Sequence, residues 1–370
     1  MAGIYVHVPF CRKACYYCNF HFSTNLSLSG EMTDAICLEL EMVKEQFSPT
    51  INTLYLGGGT PSVLPVAALK KILSSIKTNY PCKINEFTIE VNPDDIREDY
   101  LIALKGMGVT RLSIGAQTFD DQLLKFINRS HTAKTVREAY TQARELGFDN
   151  INLDLIYGLP KSTTRLLKKD LDIITAMRPE HISIYAFTLE KQTVFGNWAQ
   201  KGRIHLPDEE TEADEFELIM DYLNDKGYMQ YEISNFCLPG YESGHNQAYW
   251  TGEPYIGIGP GAHSFDGQKR WYNLAHNKRY INAIQSGILP QTIEPRTTQN
   301  ALNEYIFTSL RTSSGCDLGR IKREHNTDLS THVRLHDFIT NGLLLKKEGR
   351  LILTKKGKML ADYVASELMI

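Results

Sequence analysis

The chain has 370 residues, 42% hydrophobic and 22% charged, with a formal net charge of −3, which is enough for one large globular domain and a smaller one. That near-neutral balance excludes a global electrostatic drive toward nucleic acid or an anionic membrane, and no run approaches the roughly 18 apolar residues of a membrane-crossing helix. Seven cysteines, three of them clustered, fit a reducing cytoplasm better than a disulfide framework.

A strand-like run, Ile4–Val8, begins almost at once and leaves no expected room for a signal peptide. Further apolar, β-rich runs follow at Thr53–Leu56, Glu86–Val91, Arg111–Ile114, Asn150–Leu155 and His181–Ala186. Helical patterns separate them, over Glu31–Gln46, Val66–Lys77, Arg97–Lys105, Thr135–Glu145 and Thr164–Met177. Strands alternating with helices of this length predict βαβ units and a parallel sheet. Six units suit an α/β fold of the incomplete (β/α)6, TIM-like barrel type over residues 1–230, with chemistry at the C-terminal ends of the strands. An aromatic and glycine-rich stretch, 231–296, is expected as a connecting layer or lid. From Thr297 the order is three helices, two short strands about Lys347-Glu348-Gly349-Arg350 and a closing helix from Lys355, a winged-helix-like domain over 297–370.

The first strand leads directly into Cys11-Arg12-Lys13-Ala14-Cys15-Tyr16-Tyr17-Cys18, a C-x3-C-x2-C spacing. Thiolates are soft ligands for iron–sulfur clusters, zinc or copper. A closed zinc site takes four ligands, usually as separated pairs, whereas no fourth cysteine lies nearby. A [4Fe–4S] cluster normally takes four thiolates, so three leave one iron open. Three inert, buried thiols are the plain alternative. Cys37, Cys82, Cys237 and Cys316 are scattered and read as packing residues.

This loop resembles the hallmark of the radical S-adenosylmethionine (SAM) superfamily, in which the open iron chelates the amino and carboxylate groups of SAM. Gly57-Gly58-Gly59-Thr60-Pro61 follows the second strand; glycines let the backbone approach a ligand closely. The Gly-Lys-Ser/Thr of a P-loop is absent. Three segments containing Glu90, Gln117 and Asp154, namely Thr88–Pro93, Ser113–Thr118 and Asn152–Pro160, look like the oxygen-independent coproporphyrinogen III oxidase-like branch. That resemblance covers about the first 270 residues and implies that Tyr5, Gly58, Gly59, Thr60, Glu90, Gln117, Arg129 and Asp154 bind SAM. Arg129 suits its carboxylate, Glu90 its amino group, and Gln117 and Asp154 its ribose hydroxyls.

Two details separate the subfamilies. The coproporphyrinogen III dehydrogenases of this branch carry a fourth cysteine two positions past the third, where this chain has Phe20, and extra sequence before the cluster. His245-Asn246-Gln247-Ala248-Tyr249-Trp250, an HNxxYW motif, resembles instead the heme chaperones of the branch, the HemW type, in which the histidine serves heme binding. Neutral imidazole is a common axial heme ligand, and aromatic rings offer flat area to a porphyrin. His7 and His263 are lesser candidates.

The resemblance implies a cytoplasmic heme chaperone with a [4Fe–4S] cluster, SAM and heme as cofactors. Its partners would be heme and a heme-acceptor protein, a respiratory-chain protein and a second copy of the chain being candidates. Oxidative decarboxylation of coproporphyrinogen III is the alternative activity. A third reading is a nucleic-acid-modifying protein using the basic wing of Lys346, Lys347, Arg350, Lys355, Lys356 and Lys358. The aromatic interleaving of a single-strand-binding surface is absent there.

Overall fold

The computed structural model describes residues 2–47 and 49–370. Six parallel strands, β1 (Ala2–Val8), β2 (Ile51–Gly58), β3 (Cys82–Val91), β4 (Arg111–Gln117), β5 (Ile151–Tyr157) and β6 (His181–Ala186), lie side by side in chain order. Side-chain alternation along each strand divides their residues between two environments. Leu112, Ile114 and Ala116 of β4 and Ile151, Leu153 and Leu155 of β5 belong to the main apolar core, whereas Ser113, Gly115 and Gln117 face an internal cavity with Asn152 and Asp154. The fold is thus an incomplete (β/α)6 barrel whose lumen carries a set of polar side chains.

The crossover helices start and stop where local chemistry requires. Thr163 caps the helix Thr164–Met177 by accepting from the Leu166 amide, and Leu167, Leu171 and Ile174 form its buried stripe. The Thr132 side chain caps Ala133–Glu145 through a reciprocal pair with Thr135. Glu98–Met107 ends on Gly108 at φ +88°, a left-handed position that glycine adopts without steric penalty.

The stretch 231–296 contributes strands at both ends of this sheet. Beyond β6 lies a hairpin of β7 (Met229–Glu232) and β8 (Asn235–Cys237). Beyond β1 lie β9 (Tyr255–Ile258), parallel to it, and antiparallel β10 (His263–Phe265), β11 (Arg270–Asn273) and β12 (Gln291–Glu294). The result is a twelve-stranded sheet. Helix Gly244–Thr251, which carries HNxxYW, packs at the end of the barrel where the strands begin. There Glu86 of β3 accepts from the Ser243 hydroxyl and from the amides of Gly244 and His245 at 3.2, 2.8 and 3.0 Å.

The C-terminal domain has its own apolar core, including Leu302, Ile306, Leu344, Leu351 and Val364. Helices Thr298–Leu310, Leu318–His325 and Val333–Thr340 surround a small sheet of β13 (Cys316–Asp317), β14 (Leu344–Lys347) and β15 (Arg350–Leu353), a winged-helix-like arrangement. Much of its basic character is engaged in internal contacts: Lys355 pairs with Glu217 and Asp221 of the barrel at 2.6 and 2.7 Å, Lys358 donates to Gln230, and Arg350 pairs with Asp317. Among the described residues, no helix is long and apolar enough to cross a membrane.

Candidate cofactor site

The loop after β1 is held from several sides before any cofactor binds. Its Cys11 amide donates to the Ser23 carbonyl at 3.0 Å, the Thr60 amide to the Phe10 carbonyl at 2.7 Å, and the Tyr16 amide to the Ile127 carbonyl at 3.2 Å. Asn128 adds a side-chain bond to the Ala14 carbonyl at 2.6 Å. Cys11, Cys15 and Cys18 all line one wall of a cavity of about 490 Å³ in the barrel lumen.

The sulfurs stand among donors. The Thr60 hydroxyl reaches Cys11 Sγ at 3.4 Å and Arg129 Nη1 reaches Cys15 Sγ at 3.6 Å. Burial pushes the Cys11 thiol up and the Cys18 thiol up to about 11, so without a cation these groups stay protonated at neutral pH. Bound iron reverses that balance, because a coordinating thiol is deprotonated outright. Among the described residues no three His, Cys, Asp or Glu side chains converge on a single-ion site. Three soft ligands on a pinned loop, with hydrogen-bond donors aimed at sulfur, fit an iron–sulfur cluster.

The glycine turn closes the cavity beside them. Gly58 has φ +108°, and a Cβ there would fall 2.5 Å from His7 Nδ1; one at Gly59 would fall 2.7 Å from the Phe10 carbonyl oxygen. Gly58 therefore requires glycine for both conformation and space, and Gly59 for space. The Gly58 amide and Tyr55 hydroxyl each donate to Glu90, at 3.1 and 2.8 Å. Burial raises the Glu90 carboxyl to about 7 and also raises Asp154, whose Oδ1 accepts from Asn152 at 2.6 Å. Arg129 Nη2 is oriented by Asn92 Oδ1 and the Gly115 carbonyl, both at 2.9 Å. Gln117 ends β4 at φ +69°, an uncommon conformation for a residue with a side chain, and lines the same cavity.

Thus Cys11, Cys15, Cys18, Gly58, Gly59, Thr60, Glu90, Gln117, Arg129 and Asp154 meet at one cavity. Tyr5 and His245 do not. Tyr5 lies behind the wall, its ring 6.0 Å from Tyr55 and its hydroxyl 3.1 Å from His7 Nδ1. His245 is 1% exposed, stacks on Tyr55 at 5.2 Å, and spends both ring nitrogens: Nδ1 on Thr53 and Nε2 on Tyr249, each at 2.9 Å. Burial lowers its pKa to about 3. His7 is likewise buried, with Nε2 at 2.8 Å from the His21 carbonyl, whereas His263 is exposed. Sequence reasoning passed over Tyr55, Asn92 and Arg111, which also line the cavity. Strand alternation was the available signal, since Tyr55 and Arg111 point inward only once the phase of β2 and β4 is fixed.

Residues 5–173 match the family model of the radical SAM superfamily and residues 297–360 that of the HemN C-terminal domain. The heme chaperone HemW of Bacillus subtilis is 37% identical over 98% of both chains, and that of Lactococcus lactis is 34% identical over 99% of this chain and 97% of its own. The chain belongs to the HemW family. Its radical SAM domain makes a [4Fe–4S] cluster and SAM the cofactors of this HemW-family scaffold. The solved structure described as coproporphyrinogen III oxidase (HemN) from Escherichia coli, a radical SAM enzyme, matches with a TM-score of 0.85 at 24% identity over 100% of this chain and 90% of that one. HemW and HemN thus share one fold.

Proposed function

We propose that the chain is a cytoplasmic heme chaperone built on a radical SAM scaffold, taking up heme and passing it to an acceptor protein. The observation that carries this reading is the likeness to HemW heme chaperones along nearly the whole chain, barrel and C-terminal domain together. In it Cys11, Cys15 and Cys18 hold the cluster. Arg129 takes the SAM carboxylate and Glu90 its amino group. Gln117 and Asp154 take its ribose hydroxyls, and Gly58, Gly59 and Thr60 form the close-fitting turn. Tyr5 acts from behind by steadying His7 and Tyr55.

His245 serves as the heme-binding histidine in this reading, held in reserve. Burial keeps the imidazole neutral, the form that ligates iron. To reach a porphyrin it must exchange Tyr249 for iron, which requires the eight-residue helix Gly244–Thr251 to turn outward. Phe20, 73% exposed, stands where the coproporphyrinogen III dehydrogenases of the branch carry a fourth cysteine. The test is heme loading of the cluster-reconstituted chain followed by transfer to a candidate apo-cytochrome. Transfer is expected. Sustained conversion of coproporphyrinogen III with SAM and reductant, without transfer, would replace this function by the dehydrogenase one.

A further inference from the structure

Of the charged groups Glu90, Asp154, Arg129 and Arg111 on the inner cavity wall, all but one are engaged by hydrogen bonds near the proposed SAM seat. Glu90 holds Tyr55 and Gly58, Asp154 holds Asn152, and Arg129 holds Asn92, Gly115 and Cys15. The exception is Arg111. It begins β4, at the opposite end of the strand from Gln117, and lines the cavity although only 1% of its surface is exposed. Among the described residues its side chain makes no hydrogen bond or ion pair, and its buried Nε is unpartnered. Glu90 and Asp154 act on it electrostatically without forming an ion pair.

A buried, unpaired guanidinium is costly, and such groups are normally paired. Its neighbourhood supplies a second free donor. Arg111 pairs across the sheet with Thr88, two residues from Glu86, and Glu86 holds the start of the HNxxYW helix. That helix's second motif residue, Asn246, also lines the cavity, and its side chain has no hydrogen-bond partner among the described residues. A forked guanidinium and a carboxamide on the wall of one cavity can together serve the two oxygens of a carboxylate.

We infer that Arg111 and Asn246 form a carboxylate seat at the floor of the lumen, separate from the seat of the SAM carboxylate at Arg129. The ligand is a carboxylic acid, bound as its anion. It arrives either as a small free acid within the lumen or as a carboxylate arm of a porphyrin. Only the porphyrin route rests on the heme reading.

The experiment uses the full, cluster-reconstituted chain and titration calorimetry with propionate, succinate, and propionamide as the uncharged control. Parallel titrations use heme and its dimethyl ester, in which both carboxylates are blocked. The small-acid route predicts that propionate or succinate binds at least tenfold more tightly than propionamide. The porphyrin route predicts the same preference for heme over the ester. In either case Arg111→Gln and Asn246→Asp each lose at least tenfold, SAM binding stays within twofold, and Arg111→Lys keeps part of the affinity. Equal binding of acid and uncharged partner by the unaltered chain, in both arms, overturns the seat even if the variants fail to fold. So do folded variants that bind as the parent does. If neither heme nor its ester binds while the small acids do, the heme reading fails and the seat stands.

Discussion

Glu90 gives the proposed SAM seat a pH dependence that can be calculated. Its carboxyl is raised to about 7, chiefly by burial, while the iron-chelated amino group assigned to it donates its N–H best to the ionised form. Between pH 5.5 and pH 7 the ionised fraction of such a group climbs from about 3% to about one half, so SAM affinity should rise about sixteenfold, or ~1.6 kcal/mol. SAM must also shed its amino proton to chelate iron, but that dependence is common to parent and variant, so the part belonging to Glu90 is read from the difference between them. Anaerobic calorimetry of SAM binding at four or five pH values, with iron content measured at each, reads the slope. Glu90→Gln should bind weakly at every pH and lose this sixteenfold part of the rise. An equal slope in parent and Glu90→Gln would refute the assignment of Glu90 to the amino group.

Alanine at any of Cys11, Cys15 or Cys18 should lower the iron and sulfide content of reconstituted protein and bleach its visible absorbance; unchanged iron would remove the cluster from these residues. Gly59→Ala places a methyl group 2.7 Å from the Phe10 carbonyl and should cost about 1–3 kcal/mol, read as a lower denaturation midpoint together with poorer cluster loading. His245→Ala should weaken heme binding with cluster content intact, whereas Tyr249→Phe, which frees Nε2, should speed heme uptake; identical heme titrations for parent and both variants would remove His245 from that role. Stability should also respond to pH. Glu39 and Glu90 are each raised by burial from the usual carboxylate range to about 7, so the folded state binds the extra protons. Their contribution is present in full below about 4.5 and is lost as pH rises through 7. Thermal melts of the cofactor-free chain should therefore fall between pH 5 and pH 8, and the fall should be shallower in Glu90→Gln.

The barrel was legible because each β-rich run and each amphipathic run carried its own periodicity. The expected span Thr164–Met177 coincides with the observed helix, and Arg111–Ile114 is extended only to Gln117. The cluster loop was legible from spacing alone. The strands β7 to β12 were not, since each is three or four residues long and too short for alternation to stand out. Their pairing is dictated by the exposed edges of β6 and β1, which is tertiary information. The buried state of His245 was equally hidden: the Thr53 hydroxyl that meets it is 192 residues away in sequence. Arg111 looked like an ordinary charged strand-opening residue until the sheet curled it inward.

The fastening of the HNxxYW helix has a kinetic meaning. A lone carboxylate, Glu86, gathers three successive donors at the helix's leading end, so undoing one contact by itself gains little. Segments tied in this way open as a unit. Amides 244–251 should therefore exchange with deuterium in a single correlated step, and Glu86→Gln should speed all of them together.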